Sequence, residues 1–397
     1  IEAGVKVRGN YTANYEKKPL RIKFNKKQKM LGLNQDAKAK SWVLLADYKD
    51  SSLLRNALSF YLGNTILSSD DYYSADFIPV NVTINNEYWG MYLLTEQQQI
   101  NEYRVKIDDV EDRDDYQGND IGYFFEYDGY YTEEKEDPTF KIKYQNHASY
   151  QTYQKNWVQP TQDGYTIKST INSDSQKSFI NNYLNNIYNI CYQAIEKSSF
   201  REFTLNYTGI NPSPIKDCEK VVSQVIDIDS LVDMYLLQEL ACDADIGWSS
   251  FYLSVDMSDS GNKLLTFQAP WDFDSAFGLK KNIVESAKGM YASESTNPWM
   301  SLFMKCSWFQ KRVSAKWAEL VKYKIFDKTI EMIDTYPVKY EESYKNNFKR
   351  WPNSIGSNSS DEVRDDIRSL KTEKECSLQL KNWYKDRISY LNSIFAA

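Results

Sequence analysis

Over most of the first hundred residues, apolar and polar positions alternate with a period of two, which predicts strands. Val5-Lys6-Val7-Arg8 alternates until Gly9-Asn10 breaks the run. Leu20-Arg21-Ile22-Lys23-Phe24 alternates again, with Leu20, Ile22 and Phe24 on one face and Arg21 and Lys23 on the other. Ser41 to Ala46 is a short apolar run of the kind found in a buried strand. Phe77–Ile84 and Tyr88–Glu96 flank the turn signal Asn85-Asn86 and predict a hairpin. One helix interrupts this region. Asp50-Ser51-Ser52 offers N-caps, and Leu53, Leu54, Ala57, Leu58, Tyr61 and Leu62 follow helical spacing to about Ile66, predicting an amphipathic helix.

Further strands are predicted over 121–127 and 140–144, followed by a polar, unpatterned stretch over 145–176. From about 177 the period becomes helical, with Phe179, Ile180, Tyr183, Leu184, Ile187 and Cys191 in one stripe. Asp229 is a fitting N-cap for a second helix through Leu240. A strand over 250–255, a turn over 256–262 and a returning strand over 264–267 follow. Beyond them the pattern is helical to the last stripe of Trp383, Tyr384, Ile388, Leu391 and Phe395. The chain therefore reads as α+β: a β-rich first part with one embedded helix, then a larger, mainly helical part.

Composition narrows the chemistry. The net charge of −7 over 397 residues argues against a nucleic-acid partner, which needs a basic footprint. No run reaches the roughly 18 apolar residues of a membrane span, and no signal peptide is visible. Five scattered cysteines make neither a disulfide framework nor a zinc ribbon. A single histidine, His147, in a polar stretch, excludes any multi-histidine metal centre and leaves little room for a Ser-His-Asp triad. Acid–base and metal chemistry then fall mainly to carboxylates. The 15% aromatic content, with 31 Tyr, implies thick aromatic packing or sticky surfaces.

The carboxylates that stand out are in Pro270-Trp271-Asp272-Phe273-Asp274, after the last strand. In an extended segment, spacing i, i+2 turns both to one face, and paired oxygens suit a hard divalent cation. By itself an Asp-x-Asp is more often a polar turn. Asp245 precedes the hairpin 250–267 and Asp272 follows it, with basic Arg21 and Lys23 on a strand in the β part. Those two cations belong either to a solvated edge strand or to a face aimed at phosphates. Arg55 sits at the start of the embedded helix, where the dipole disfavours a cation, a mild hint of an anionic partner. Phosphoryl transfer needs cations for phosphates, an orienting carboxylate and a metal carboxylate, and kinase folds carry them in this order along the chain. The ordinary protein-kinase signatures G-x-G-x-x-G, H-R-D and D-F-G are absent.

Seven segments in order resemble the spore coat protein H (CotH) kinase family of atypical bacterial protein kinases. They are Val7-Arg8-Gly9-Asn10, Lys17 to Lys23, Trp42 to Ala46, Ser52 to Asn56, Gly90 to Glu96, Asp229 to Tyr235 and Pro270 to Gly278. The resemblance implies an atypical, two-lobed protein-kinase-like fold, with an N-lobe over 1–97 that binds the nucleotide phosphates. The C-lobe, 98–397, would contain inserted strands over 121–145, a catalytic and metal hairpin over 243–278 and a helical tail over 298–397. It implies transfer of the ATP γ-phosphate to Ser or Thr of a protein substrate, and to the chain itself, with Mg²⁺ or Mn²⁺. Carried over, Asp245 is the catalytic Asp, with Asp243 its near rival. Asp272 is the main metal ligand and Asp274 a second ligand or its support. Lys23 is the phosphate lysine, Arg21, Arg8 and Arg55 are nearby cations, and Glu96 belongs to a hinge-like segment beside the nucleotide. An extracytoplasmic, secreted or spore-surface location follows from the same resemblance. One departure is Trp248-Ser249-Ser250, where family members often have an Asn, a better metal ligand than Ser. This keeps an alternative open, a catalytically weak kinase-like surface or coat module that binds protein or glycan. A metal-dependent nucleotide-sugar transferase would favour alternating βα units, which the hairpins do not supply.

Overall fold

The computed structural model describes residues 1–144, 161–281 and 285–396; His147 lies outside the described residues. β1 (Ala3–Val7), β2 (Leu20–Gln28), β3 (Ala39–Leu45), β4 (Phe77–Ile84) and β5 (Glu87–Glu96) form an antiparallel sheet ordered β1-β2-β3-β5-β4. The period-two pattern splits its side chains. Leu20, Trp42, Leu44, Tyr92 and Leu94 build a small core on one face. Val43, Leu45, Met91 and Leu93 join the main core on the other. Between β3 and β4 the chain forms α1 (Arg55–Ile66).

The remainder is larger and mainly helical. In chain order it comprises β6 (Gly122–Tyr127), β7 (Thr139–Lys141), β8 (Gly164–Ile167), α2 (Asp174–Lys197), β9 (Arg201–Phe203), β10 (Ile210–Pro212), α3 (Cys218–Val222) and α4 (Ile228–Ala241). Then follow β11 (Phe251–Asp256), β12 (Thr266–Phe267), α5 (Pro298–Phe303), α6 (Ser307–Lys322), α7 (Ile325–Lys339), α8 (Glu341–Arg350), α9 (Asp365–Arg368) and α10 (Glu373–Phe395). A second five-stranded sheet runs β12-β11-β6-β8-β7. The architecture is α+β, with the two-lobed layout of a kinase-like fold. Among the described residues no helix is long and apolar enough to cross a membrane.

Three local outcomes differ from the pattern. β8 lies in the stretch expected to be irregular; four residues are too few to show a period, and pairing with β6 and β7 holds them extended. α1 is buried nearly all round, not amphipathic, because α4 and α7 also contact it. Its first amides are satisfied from outside the helix, since the Asp50 carboxylate accepts Leu54 N at 3.1 Å and Arg55 N at 2.9 Å. α4 is capped by Asp227, whose side chain accepts the Ser230 amide, two residues before the expected Asp229. The C-terminal helices also reach back to the first sheet. Trp351 Nε1 donates to Trp89 O at 2.6 Å, and Asn347 Oδ1 accepts Met91 N at 3.1 Å.

Candidate active site

A cleft of about 760 Å³ opens between the first sheet and the β6/β11 face of the second. Arg8 and Arg21 enter it from the ends of β1 and β2, and Asp47 and Lys49 from the loop after β3. Glu126 comes from β6 and Asp128 from just beyond its end, Asp245 from the turn after α4, and Asp272 and Asp274 from the loop after β12.

The loop after β12 is held by its flanks. Ala269 N donates to Tyr73 O at 2.8 Å, Phe273 N to Asn56 Oδ1 at 2.9 Å and Phe277 N to Ala241 O at 2.7 Å. Asn56 on α1 also donates to Asp47 Oδ1 at 2.6 Å, so one side chain couples both loops. Trp271 is buried against Phe60, with ring centroids 5.5 Å apart, and carries the Arg8 guanidinium 5.3 Å from its centroid. Gly278 closes the loop at φ 68°, where a Cβ would lie 2.3 Å from Trp383 Nε1, so only glycine fits. The aspartates do not reach the cleft by strand alternation. Asp272 has φ 67°, a left-handed conformation that Asp tolerates better than most residues.

Asp245, Asp272 and Asp274 stand in the cleft in different states. Burial opposes ionisation of Asp245, but Lys280 and Lys49 outweigh it and hold its carboxyl below the ordinary value. Lys280 Nζ lies 3.1 Å from Asp245 Oδ1. Asp272 is pushed up, first by burial and then by the Asp245 charge; among the described residues its one hydrogen bond is a 3.4 Å contact from the Ser250 hydroxyl. Asp274 is pushed up to about 7 by burial, against the pull of Lys49. Lys49 Nζ stands 3.1 Å from Asp274 and 3.8 Å from Glu362, and donates to Ser275 Oγ at 2.6 Å. Burial disfavours its charge, but Asp274, Glu362 and Asp245 overcome this and raise its pKa well above the ordinary value.

The expected site residues separate into two groups. Asp245, Asp272, Asp274, Arg8 and Arg21 line one cleft. Lys23 is exposed one pleat further along β2, outside the cleft. Arg55 is 1% exposed and bound to Asp50 at 2.5 Å, to Ala276 O and to Gln379, also away from the cleft. Glu96 is taken up by Arg104 at 3.0 Å and by Asp76 N and Asn34, and does not line the cleft. Asp243 is 2% exposed, caps the turn by accepting Asp245 N at 3.2 Å, and does not line it either. Burial, with Asp245 beside it, pushes its carboxyl well above the ordinary value.

Lys49, Lys280, Glu126 and Glu362 also line it and were not singled out from the pattern. Lys280 had a weak signal, two residues past Gly278; the others had none. Glu362 comes from the C-terminal segment, where its Oε2 accepts the Tyr15 hydroxyl at 2.8 Å.

The donor set fits an anion and a hard cation. Arg21 is held below its ordinary pKa by burial and by Arg8, with Asp137 and Glu136 pulling the other way, and among the described residues its buried Nε has no hydrogen-bond partner, so it can still take an anion. Asp272 offers carboxylate oxygens that only one long contact uses. Among the described residues no three Asp, Glu, His or Cys side chains are spaced to enclose an ion by themselves. An ion here would take part of its oxygen shell from phosphates, as Mg²⁺ commonly does.

The family described as CotH kinase protein matches residues 5–391. The chain therefore belongs to the CotH kinase family, which suggests a kinase-like function. No curated protein matches the sequence.

Proposed function

We propose that this chain is an atypical protein kinase that transfers the γ-phosphate of ATP to a Ser or Thr hydroxyl of a protein, itself included. The observation that carries this reading is one cleft that brings together Asp245, paired with Lys280 and held below its ordinary pKa, a sparsely bonded Asp272 and the cations Arg8, Arg21 and Lys49.

In this reading Asp245 accepts the proton of the acceptor hydroxyl as its oxygen attacks phosphorus and the bond to the ADP oxygen breaks. Lys280 occupies one Asp245 oxygen, keeps the group ionised and leaves the other oxygen to orient the hydroxyl. Lys49, Arg8 and Arg21 cradle the phosphates, and Lys49 takes the part expected of Lys23. Asp272, with Asp274 in support, would hold a divalent ion that neutralises charge on the phosphates. Glu96 and Arg55 act structurally, through Arg104 and Asp50. The family resemblance supports an extracytoplasmic or spore-surface location.

Ser250 favours a second reading, a weakened kinase-like binding module. Its hydroxyl stands 3.4 Å from Asp272 in the segment where the family resemblance implies an Asn, and its backbone amide is already used by Glu126 at 2.8 Å. Labelled ATP with Mg²⁺ or Mn²⁺ separates the two. The kinase reading expects phosphate on the protein or on a Ser-rich peptide, reduced about 10²–10⁴-fold in Asp245→Asn and abolished in Asp272→Ala. Undiminished transfer in both variants sinks the assignment, and no transfer by the unaltered protein favours the binding module.

A further inference from the structure

Among the described residues beyond Lys280, Glu362 alone lines the cleft. Its main chain is fixed by the segment that carries Lys280. Lys281 N donates to Glu362 O at 2.8 Å and Arg364 N to Leu279 O at 3.0 Å, while Val363 is buried in a small core with Leu279 and Ile367. Its side chain is fixed as well. Oε2 accepts the Tyr15 hydroxyl at 2.8 Å, and that hydroxyl lies 3.0 Å from Ser360 Oγ. Tyr15 belongs to the connection from β1 to β2, which lines the cleft with Arg8. Its ring stacks at 5.0 Å on Tyr48, the residue before Lys49.

Lys49 is 6% exposed, and a buried ammonium needs counter-charge. α1, the helix that follows it, has no Asp or Glu to offer. Asp274, 3.1 Å away, is pushed up to about 7 and so gives only part of a charge near neutral pH. Glu362 is the second acid, at 3.8 Å. Ser275 Oγ at 2.6 Å and Asp274 take two of the three ammonium donors. At 3.8 Å Glu362 attracts the ammonium without filling the third, which stays open for a phosphate oxygen. An acid beside an anion site repels the ligand unless it orients the cation, and Glu362 is tied at both backbone and carboxylate. We propose that Glu362 is a positioning residue: it aims the Lys49 ammonium at the phosphates and, through Tyr15, ties the β1–β2 connection to the same spot. The inference rests on the nucleotide-binding reading of the cleft.

Titration calorimetry of the whole chain with Mg²⁺ and inorganic tripolyphosphate tests it without measuring transfer. Removing a negative charge from beside an anion site ordinarily tightens anion binding. The inference expects the opposite sign. Glu362→Gln, which keeps an acceptor for Tyr15, should weaken tripolyphosphate roughly tenfold. Tyr15→Phe keeps the charge and removes the tether, so the loss should be smaller, about threefold. In Lys49→Met, adding Glu362→Gln should cause no further loss, because the cation it positions is gone. Tighter or unchanged binding in Glu362→Gln overturns the inference, and so does a full tenfold further loss on the Lys49→Met background. If the unaltered protein binds tripolyphosphate yet transfers no phosphate from ATP, the kinase reading falls, and these affinities still decide the role of Glu362. If it binds neither tripolyphosphate nor ATP, both fall.

Discussion

Two charged assemblies flank α1, and they are built to opposite specifications. At its N-terminus Asp50 and Arg55 are 0% and 1% exposed. Asp50 accepts the Ser52, Leu54 and Arg55 amides, the Ser52 hydroxyl and the guanidinium, so both its oxygens are filled. Across the cleft, Asp245, Asp272 and Asp274 face Lys49 and Lys280 with valences to spare. Asp272 keeps one 3.4 Å contact, and Asp274 is pushed up to about 7. Like charges that repel, in a cavity, with unfilled oxygens, describe a place for a ligand. A buried pair with every oxygen filled describes architecture. Arg55 and Asp272 both sit in family-like segments, and only this accounting tells them apart.

The largest effect should come from opening the closed assembly. Asp50→Ala leaves Arg55 buried without its partner and removes the acceptor for the first amides of α1, at a cost of about 3–5 kcal/mol, read as a fall in urea midpoint. Asp272→Asn should stay within about 1 kcal/mol of the parent, because it removes repulsion with Asp245. Equal destabilisation by the two would erase the distinction. Next in size is Lys280→Met, with an expected loss of roughly tenfold or more in transfer rate and a shifted acid limb. The sign follows from linkage. Lys280 helps hold Asp245 below its ordinary value, so removing it raises that pKa, and activity is lost at higher pH than in the parent. Lys280→Arg should restore the limb; an unmoved limb in Lys280→Met would show that Lys280 does not act through Asp245. The smallest effect is expected from Ser250→Asn. It supplies an amide oxygen beside Asp272 and should tighten Mn²⁺ binding with ATP a few-fold, on the order of 1 kcal/mol, by thermal shift. No change would mean that Ser250 stands too far from the ion.

Much of the fold was legible locally. Alternation in Leu20–Phe24 and in the 77–96 hairpin marked strands, because a pleat needs only neighbours to set its faces. The α+β order and the approach of Asp245 and Asp272 to one cleft followed from the hairpin between them. Parity also put Arg21 and Lys23 on one face, but it carries no information on how far along the strand a cleft extends. Arg21 reaches it and Lys23 does not. β8 was invisible because its extended state comes from its partners and not from its four residues.

By itself, then, the sequence determined the strand and helix periods, the order of the lobes, the scarcity of histidine that leaves carboxylates as the candidate groups, and the family. Tertiary structure alone decided which charges are consumed and which are offered. Glu96 looks free until Arg104 is seen on it, and Lys49 looks ordinary until it is found beside Ser275, 226 residues away. Whether a charged group is spent depends on desolvation and on partners distant in the chain, and both are properties of the packed interior.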